Sequence, residues 1–289
     1  MPRLEEVKGI LREKAEEKDG VFSYLPRLSD FTRQEIEFHD RIQADEEEIH
    51  QLNSLRNRYY HDYFRKYLLR LPADSVMLEI GSGSGFDCLP LIEAGKQVIV
   101  SDISFDSIRG IKEKIGLRGN VVYLVADGEQ LPLADNSVDA LFLAASLHHF
   151  PSAERILGEI RRVVKKGGLV IFAMEPSRFM MRFTRLFASN KSLRIHEGRS
   201  EADETHPGYN SADWKRIVSG FEVIELKRAW LTLGLLHYCL EGIYRLLRLK
   251  KRIRMPRVIE WILLVLDEIL LKIPLINMIN WHWIVVLTK

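Results

Sequence analysis

From residue 76 onward, short apolar runs alternate with segments of helical periodicity. Residues 76–80, 97–101, 121–125, 140–144 and 169–173 are each rich in Val, Ile and Leu. Continuous apolar runs of that length are the pattern of strands buried on both faces. Between them, 87–94, 105–115 and 152–164 carry apolar residues at spacings of three and four. The alternation predicts an α/β fold, a parallel sheet with right-handed crossovers and helices on both sides. Gly167 and Gly168 are expected to stop the third of these helices and start the fifth strand.

The flanks are helical in character. Residues 30–71 set Ile36, Phe38, Tyr60, Phe64 and Leu68 at helical spacings, whereas 1–20 mix Lys and Glu without an apolar stripe and read as a solvated helix or loose arm. Residues 1–70 are thus expected to form an N-terminal helical extension to a domain spanning 71–289. After Glu175 the rhythm breaks. Residues 176–210 are basic and aromatic, with Phe179, Phe183 and Phe187, then rich in His, Gly and Pro, as in a lid or substrate loop. A helix over 211–219 capped by Ser211 and a strand over 221–229 follow, and the last strand is expected over 281–287.

Between those two strands the chain inserts roughly fifty residues, 230–280, where a compact sheet needs a turn. A helix over 231–249 gathers His237, Glu241, Arg245 and Arg248 into a polar stripe. A second, over 260–273, confines Glu260, Asp267, Glu268 and Lys272 to an arc of roughly 140°. Seven basic residues and no acidic one lie between Arg245 and Arg257. That combination suits an anionic membrane surface or a lipid substrate through residues 231–273, and the plainer reading is packing on the core or on another subunit.

Composition adds limits. With 46% apolar and 28% charged residues in 289, the chain can bury a substantial core as a globular protein, and a formal charge of +2 gives no case for nucleic acid. Cys88 and Cys239 are the only cysteines and form no paired motif, so disulfides and cysteine zinc sites are not expected. The first twenty residues hold eleven charges and no leader pattern, and the longest uncharged apolar run, 229–240, is short of a bilayer span. The expected setting is cytoplasmic, peripheral on the inner face of a membrane if the insert meets lipid. Four acidic residues at 45–48 read as a solvated face. No group of histidines and carboxylates has a metal-ligand spacing, and no metal is expected.

Chemistry concentrates at strand ends. In VMLEIGSGSGF, Gly81, Gly83 and Gly85 form a turn that lets a ligand approach the backbone, while Phe86 stands where a dinucleotide fingerprint has its third glycine. Glu79 places a carboxylate near the end of a buried strand, costly unless paired. Asp102 ends the second strand, where a carboxylate accepts from both hydroxyls of a ribose. Asp127 and Gly128 follow the third, where an acid and a backbone N–H match the edge of a base. Asp139 reads as a turn or cap.

The ordered set LEIGSGSG, SDIS, ADGEQLPLADNSVD, LHHF and RRVVKKGG resembles the class I S-adenosylmethionine-dependent methyltransferases, in particular the broad group that includes quinone, sterol and small-molecule methyltransferases, over about residues 70–230. The resemblance implies a Rossmann-like sheet of seven strands, mostly parallel, with the last antiparallel, and S-adenosyl-L-methionine as cofactor. It implies that Glu79, Gly81, Gly83 and Gly85 surround the methionine part and that Asp102 with Ile103 holds the ribose. It also implies that Asp127 and Gly128 meet the adenine, that Ala145 and Ser146 approach the cofactor, and that Tyr59 and Tyr60 close the pocket.

The expected activity is in-line methyl transfer to a small, hydrophobic or lipid-linked acceptor. Such a reaction needs a base only if the acceptor must lose a proton, and His148 and His149 stand where one is wanted. The other reading of that pair is support of the loop. Two further classes stay open: a protein that binds the cofactor without turnover, and a nicotinamide-dependent oxidoreductase. A nucleic-acid methyltransferase is disfavoured, because the basic residues form one patch and no base-handling motif occurs.

Overall fold

The computed structural model describes residues 9, 11, 15–26, 28–42, 51–188, 200, 202 and 205–289. The acidic run 45–48, His50, the side chain of Phe187 and the middle of the expected lid lie outside the described residues.

Among the described residues, one sheet of nine strands organises the chain. In chain order its strands are β1 (Glu16–Lys18), β2 (Val21–Tyr24), β3 (Val76–Ile80), β4 (Gln97–Asp102), β5 (Val121–Ala126), β6 (Val138–Ala144), β7 (Val164–Pro176), β8 (Glu222–Ala229) and β9 (His282–Thr288). Their spatial order is β1-β2-β5-β4-β3-β6-β7-β9-β8. Only β1 and β9 run against the others. Strands β3 to β9 are the seven expected, with the last one antiparallel to both neighbours. The two extra strands correct the expectation for the N-terminus. Residues 16–24 form a hairpin that extends the sheet beyond β5, because Asp19 and Gly20 both take positive φ, at 52° and 72°, and close a two-residue turn.

The helices are α1 (Asp30–Ile42), α2 (Leu55–Leu69), α3 (Cys88–Glu93), α4 (Phe105–Ile115), α5 (Ala153–Val163), α6 (Arg178–Ala188), α7 (Ser211–Ile217), α8 (Thr232–Leu246) and α9 (Arg257–Leu270). Strand alternation divides the core between two faces. Met77, Val100 and Phe142 pack with Phe64 of α2, Leu91 of α3 and Ile108 of α4. Leu78, Ile99 and Leu141 pack on the other face with Ile156 and Ile160 of α5 and Trp214 of α7.

Several boundaries differ from the sequence reading. Helix α5 ends at Val163 and β7 begins at once, with an irregular register before Leu169, so Gly167 and Gly168 lie within the strand's irregular start and do not end the helix. Asn210, not Ser211, caps α7, accepting from the N–H groups of Ala212 and Asp213 while Asp213 accepts from Asn210 N–H. The start of the expected loop is helix α6, on which Phe179 and Phe183 stack on each other and meet Trp281 edge-on.

Helix α9 reverses the usual arrangement. Its carboxylates Glu260 and Asp267 are buried and, apart from Leu264, most of its large apolar side chains lie outward. Glu260 pairs with the buried Arg56 of α2 and accepts from Leu55 N–H at 2.9 Å. Asp267 accepts from the N–H groups of Leu231, Thr232 and Leu233 at 2.8–3.2 Å, capping the start of α8 from outside that helix.

Candidate functional site

At β3 the sheet order reverses, with β4 on one side and β6 on the other, and a crevice opens beyond the strand ends. The chain leaves β3 through Gly81, Gly83 and Gly85, all with φ between 48° and 79°. Gly81 N–H donates to Ser101 O at 2.9 Å and Gly83 N–H to Asp102 Oδ2 at 2.9 Å, which ties the loop to the end of β4. A Cβ on Gly81 would fall 2.2 Å from Ser146 Oγ, so the loop after β6 presses on glycine backbone. Gly85 is placed differently. It packs toward Ile111 of α4 and does not line the crevice.

Carboxylates surround that loop. Glu79 is buried, and burial followed by the nearby charge of Asp87 pushes its pKa well above the usual carboxylate range. Its Oε2 has no hydrogen-bond partner among the described residues. Asp87 accepts from His61 Nδ1 at 2.8 Å and lies 3.7 Å from Arg65, so α2 reaches over the loop. Asp102 accepts from Ser104 and Gly83 N–H groups, yet burial still raises its pKa. Asp127 accepts from Glu129 N–H at 2.9 Å and is also raised by burial. Beside it a Cβ on Gly128 would meet the Phe150 ring at 2.7 Å. A buried carboxylate with one unpartnered oxygen among the described residues, a glycine backbone and two acids at successive strand ends fit the ammonium, sulfonium, ribose and base of S-adenosylmethionine.

A second group of charges holds the loop after β6. Glu175 is fully buried at an irregularity between β7 and β9. It accepts from the N–H groups of Ser146 at 2.9 Å, Leu147 at 2.8 Å and His148 at 3.3 Å, and from His148 Nδ1 at 3.0 Å. Burial opposes its ionisation, but the hydrogen bond and charge of His148 with Leu147 N–H prevail and its pKa lies below the ordinary value. His149 takes another partner, Glu35 of α1 at 2.7 Å. Burial works against the Glu35 charge, which His149 and the N–H of Ala202 more than restore, so its pKa is lowered. Glu35, His39 and His149 bring ligand-capable atoms within 4.8 Å of one another, a grouping that spacing alone did not reveal.

These parts enclose a cavity of about 320 Å³. Glu79, Gly81, Gly83, Asp102, Ile103, Asp127, Gly128, Ala145, Ser146, His148 and His149 all line it. Tyr59 and Tyr60 do not; Asn57 and His61 of the same helix take their place. The lining also includes Met174, Met180, Met181, Trp230 and Tyr238, with His237, Glu241 and His282 as polar members beside them. Ala145, Met174 and Trp230 carry positive φ, at 52°, 55° and 57°, and all three face this cavity. Non-glycine residues in that region are strained and gather at functional sites. Half-buried His282, also in the wall, has a pKa pushed down to about 4, chiefly by desolvation.

A family model described as a methyltransferase domain matches residues 78–172. The chain is 30% identical over 193 residues to a ubiquinone/menaquinone biosynthesis C-methyltransferase of Rickettsia bellii, covering 59% of this chain and 77% of that protein. It is 29% identical over 109 residues to a malonyl-acyl-carrier-protein O-methyltransferase of Hamiltonella defensa, covering 37% of this chain and 41% of that one. Among solved structures, phosphoethanolamine N-methyltransferase 2 of Haemonchus contortus in complex with S-adenosyl-L-methionine superposes with a TM-score of 0.57 at 18% identity, over 91% of this chain and 60% of that one. At such identity the likeness is one of fold.

Proposed function

We propose, from the premise that this chain belongs to the class I S-adenosylmethionine-dependent methyltransferases, that its acceptor is a small hydrophobic molecule of the lipid-linked quinol kind. The observation that carries this reading is the cavity itself. It runs from the glycine loop to a wall of Met174, Met180, Met181, Trp230 and Tyr238, with no break between the cofactor end and the apolar end. Methionine and aromatic side chains adapt to a flat, apolar ring and add dispersion contact without demanding polar groups from it. The relatives named for quinone C-methylation support the same class of acceptor.

S-adenosylmethionine, the cofactor of this enzyme, supplies a methyl group already activated on a sulfonium. The chain's part is to orient both reactants and keep water out. Glu79, with Asp87 beside it, receives the cationic amino-acid end. Gly81 and Gly83 keep side chains clear of it, and Asp102 with Ile103 takes the ribose. Asp127 and Gly128 meet the adenine under the Phe150 ring, and Ala145 and Ser146 form the wall toward the acceptor.

His148 is the general base in this reading. Glu175 accepts from Nδ1–H, which selects the tautomer whose basic lone pair is on Nε2. His149, paired with Glu35, holds α1 against the cavity. The test is turnover of labelled S-adenosylmethionine with demethylated quinols of graded chain length, against polar amines, with the product identified by mass spectrometry. Methylation of quinols that improves with apolar chain length is expected. Turnover confined to polar amines would overturn the acceptor assignment and leave the family assignment intact.

A further inference from the structure

We infer that the outward face of α8 and α9, with the basic stretch between them, seats this protein on an anionic lipid surface. Helix α9 is built inside out for water. Of its ionisable groups beyond the first residue, Glu260 and Asp267 are buried, and Glu268 is paired with Lys227 at 2.7 Å. Its outer side presents Val258, Ile259, Trp261, Ile262, Val265 and Ile269, with Trp261 59% exposed. A helix in contact with water turns its charges outward. Here the charges are turned to the interior, and exposed apolar residues follow the helix at Ile273, Leu275, Met278 and Ile279, with Leu275 79% exposed. No helix among the described residues is long and apolar enough to cross a membrane, so the face can only lie against one.

The charge pattern selects the occupant. Leu246 and Leu247 at the end of α8 are exposed, then Arg248, Lys250, Lys251, Arg254 and Arg257, then the outer face of α9. Buried Met255 and the Arg252–Glu241 ion pair fix this stretch to α8, so its position is set by the fold. Basic and apolar side chains interleaved on one surface match acidic headgroups above acyl chains. A second copy of the chain fits poorly: a two-fold interface here would bring two basic stretches together, and α9 offers no outward carboxylate to meet them.

Helix α8 joins this surface to the cavity. His237, Tyr238 and Glu241 line the cavity, while Leu235, Ile243 and Leu246 are exposed on its outer side. A membrane seated there lies one helix away from the acceptor end, and an apolar acceptor need not cross bulk water to reach it. The seating itself needs only the surface and does not depend on which acceptor is methylated.

Trp261 supplies the readout. The other four tryptophans, Trp214, Trp230, Trp281 and Trp283, are buried. Full-length protein is mixed with vesicles of phosphatidylcholine and phosphatidylglycerol, or phosphatidylcholine alone, with and without brominated acyl chains. Flotation and tryptophan quenching are measured together. Binding to the acidic vesicles with quenching of Trp261 is expected, with loss of quenching in Trp261→Phe and a fall in partition of roughly tenfold or more in Lys250→Glu/Lys251→Glu. Circular dichroism and cofactor binding of both variants should match the parent. Absence of binding to acidic vesicles by the folded protein would overturn the inference. So would a stable dimer in light scattering whose Trp261 is shielded from aqueous quencher, or binding that ignores both lipid charge and the charge reversal.

Discussion

Glu175 Oε2 lies 3.0 Å from His148 Nδ1, and the same carboxylate accepts the N–H groups of Ser146, Leu147 and His148. One buried charge therefore sets the imidazole tautomer and the shape of the turn that carries it. Replacement of His148 by Asn removes the base and leaves the turn's backbone bonds. The turnover number is expected to fall about 10²-fold or more with cofactor affinity nearly unchanged. Equal turnover in the parent and His148→Asn would reduce the residue to loop support.

Glu175→Gln tests the carboxylate itself. Its pKa is lowered in the folded state, so its ionised form stabilises the fold above the ordinary carboxylate range, and that contribution is lost as pH falls through the folded value. Glu175→Gln should cost about 1–3 kcal/mol near neutrality, because an amide keeps one accepting oxygen and sets an NH2 donor where the second stood, and should flatten the acid limb of stability. Chemical denaturation between acid and neutral pH measures both.

Glu79 has the opposite sign. Its raised pKa means that the cofactor-free protein loses stability as pH rises through the folded value, with the full contribution present only below the ordinary Glu range. A cationic ligand beside it favours ionisation, so cofactor binding should release protons. Calorimetric titration in buffers of different ionisation enthalpy is expected to show that release. Glu79→Gln should abolish it and weaken S-adenosylmethionine by roughly tenfold or more. Identical proton release in Glu79→Gln would assign it to another group.

The same contrast shows why some of the site was legible and some was not. Glu79, Asp102 and Asp127 stand at or near the ends of largely apolar strands, where a charge is conspicuous in the sequence. The sheet was legible for a related reason, since strands buried on both faces admit little else. Glu175 closes an equally apolar run, but its partners are backbone N–H groups of another loop, which leave no mark in sequence. The pairs His61–Asp87 and Glu35–His149 join segments 26 and 114 residues apart. The N-terminal hairpin did carry a signal, Asp19-Gly20, obscured by the charges of 16–18. Helix α9 had a clear polar arc whose direction no periodicity states, and the structure turns it inward.

Gly81 and Gly95 separate steric from conformational cost. Both have positive φ, 72° and 79°, but a Cβ on Gly81 would meet Ser146 Oγ at 2.2 Å while one on Gly95 would meet nothing within 4 Å. Gly95→Ala should cost about 1–2 kcal/mol of stability and leave cofactor affinity intact. Gly81→Ala should cost more and displace the loop after β6, reducing affinity by roughly tenfold or more. Calorimetry and thermal unfolding of the pair decide this, and equal affinity in the two variants would remove Gly81 from the pocket's specification.

Asp267 is the last such case. Leu231 offers no capping side chain to α8, and the N–H groups at the helix start turn to a carboxylate 34–36 residues further on. In Asp267→Ala three donors and the Thr232 hydroxyl lose their acceptor in a buried setting, at about 1–3 kcal/mol of stability and roughly 3–10 °C in Tm. Because α8 also bears His237 and Tyr238 on the cavity wall, the helix should fray beside the proposed acceptor site. Hydrogen exchange over 231–246 should accelerate, and KM for the acceptor should rise while cofactor affinity, set at the glycine loop, holds. A variant that lost both affinities together would show that the two ends of the cavity are coupled through α8.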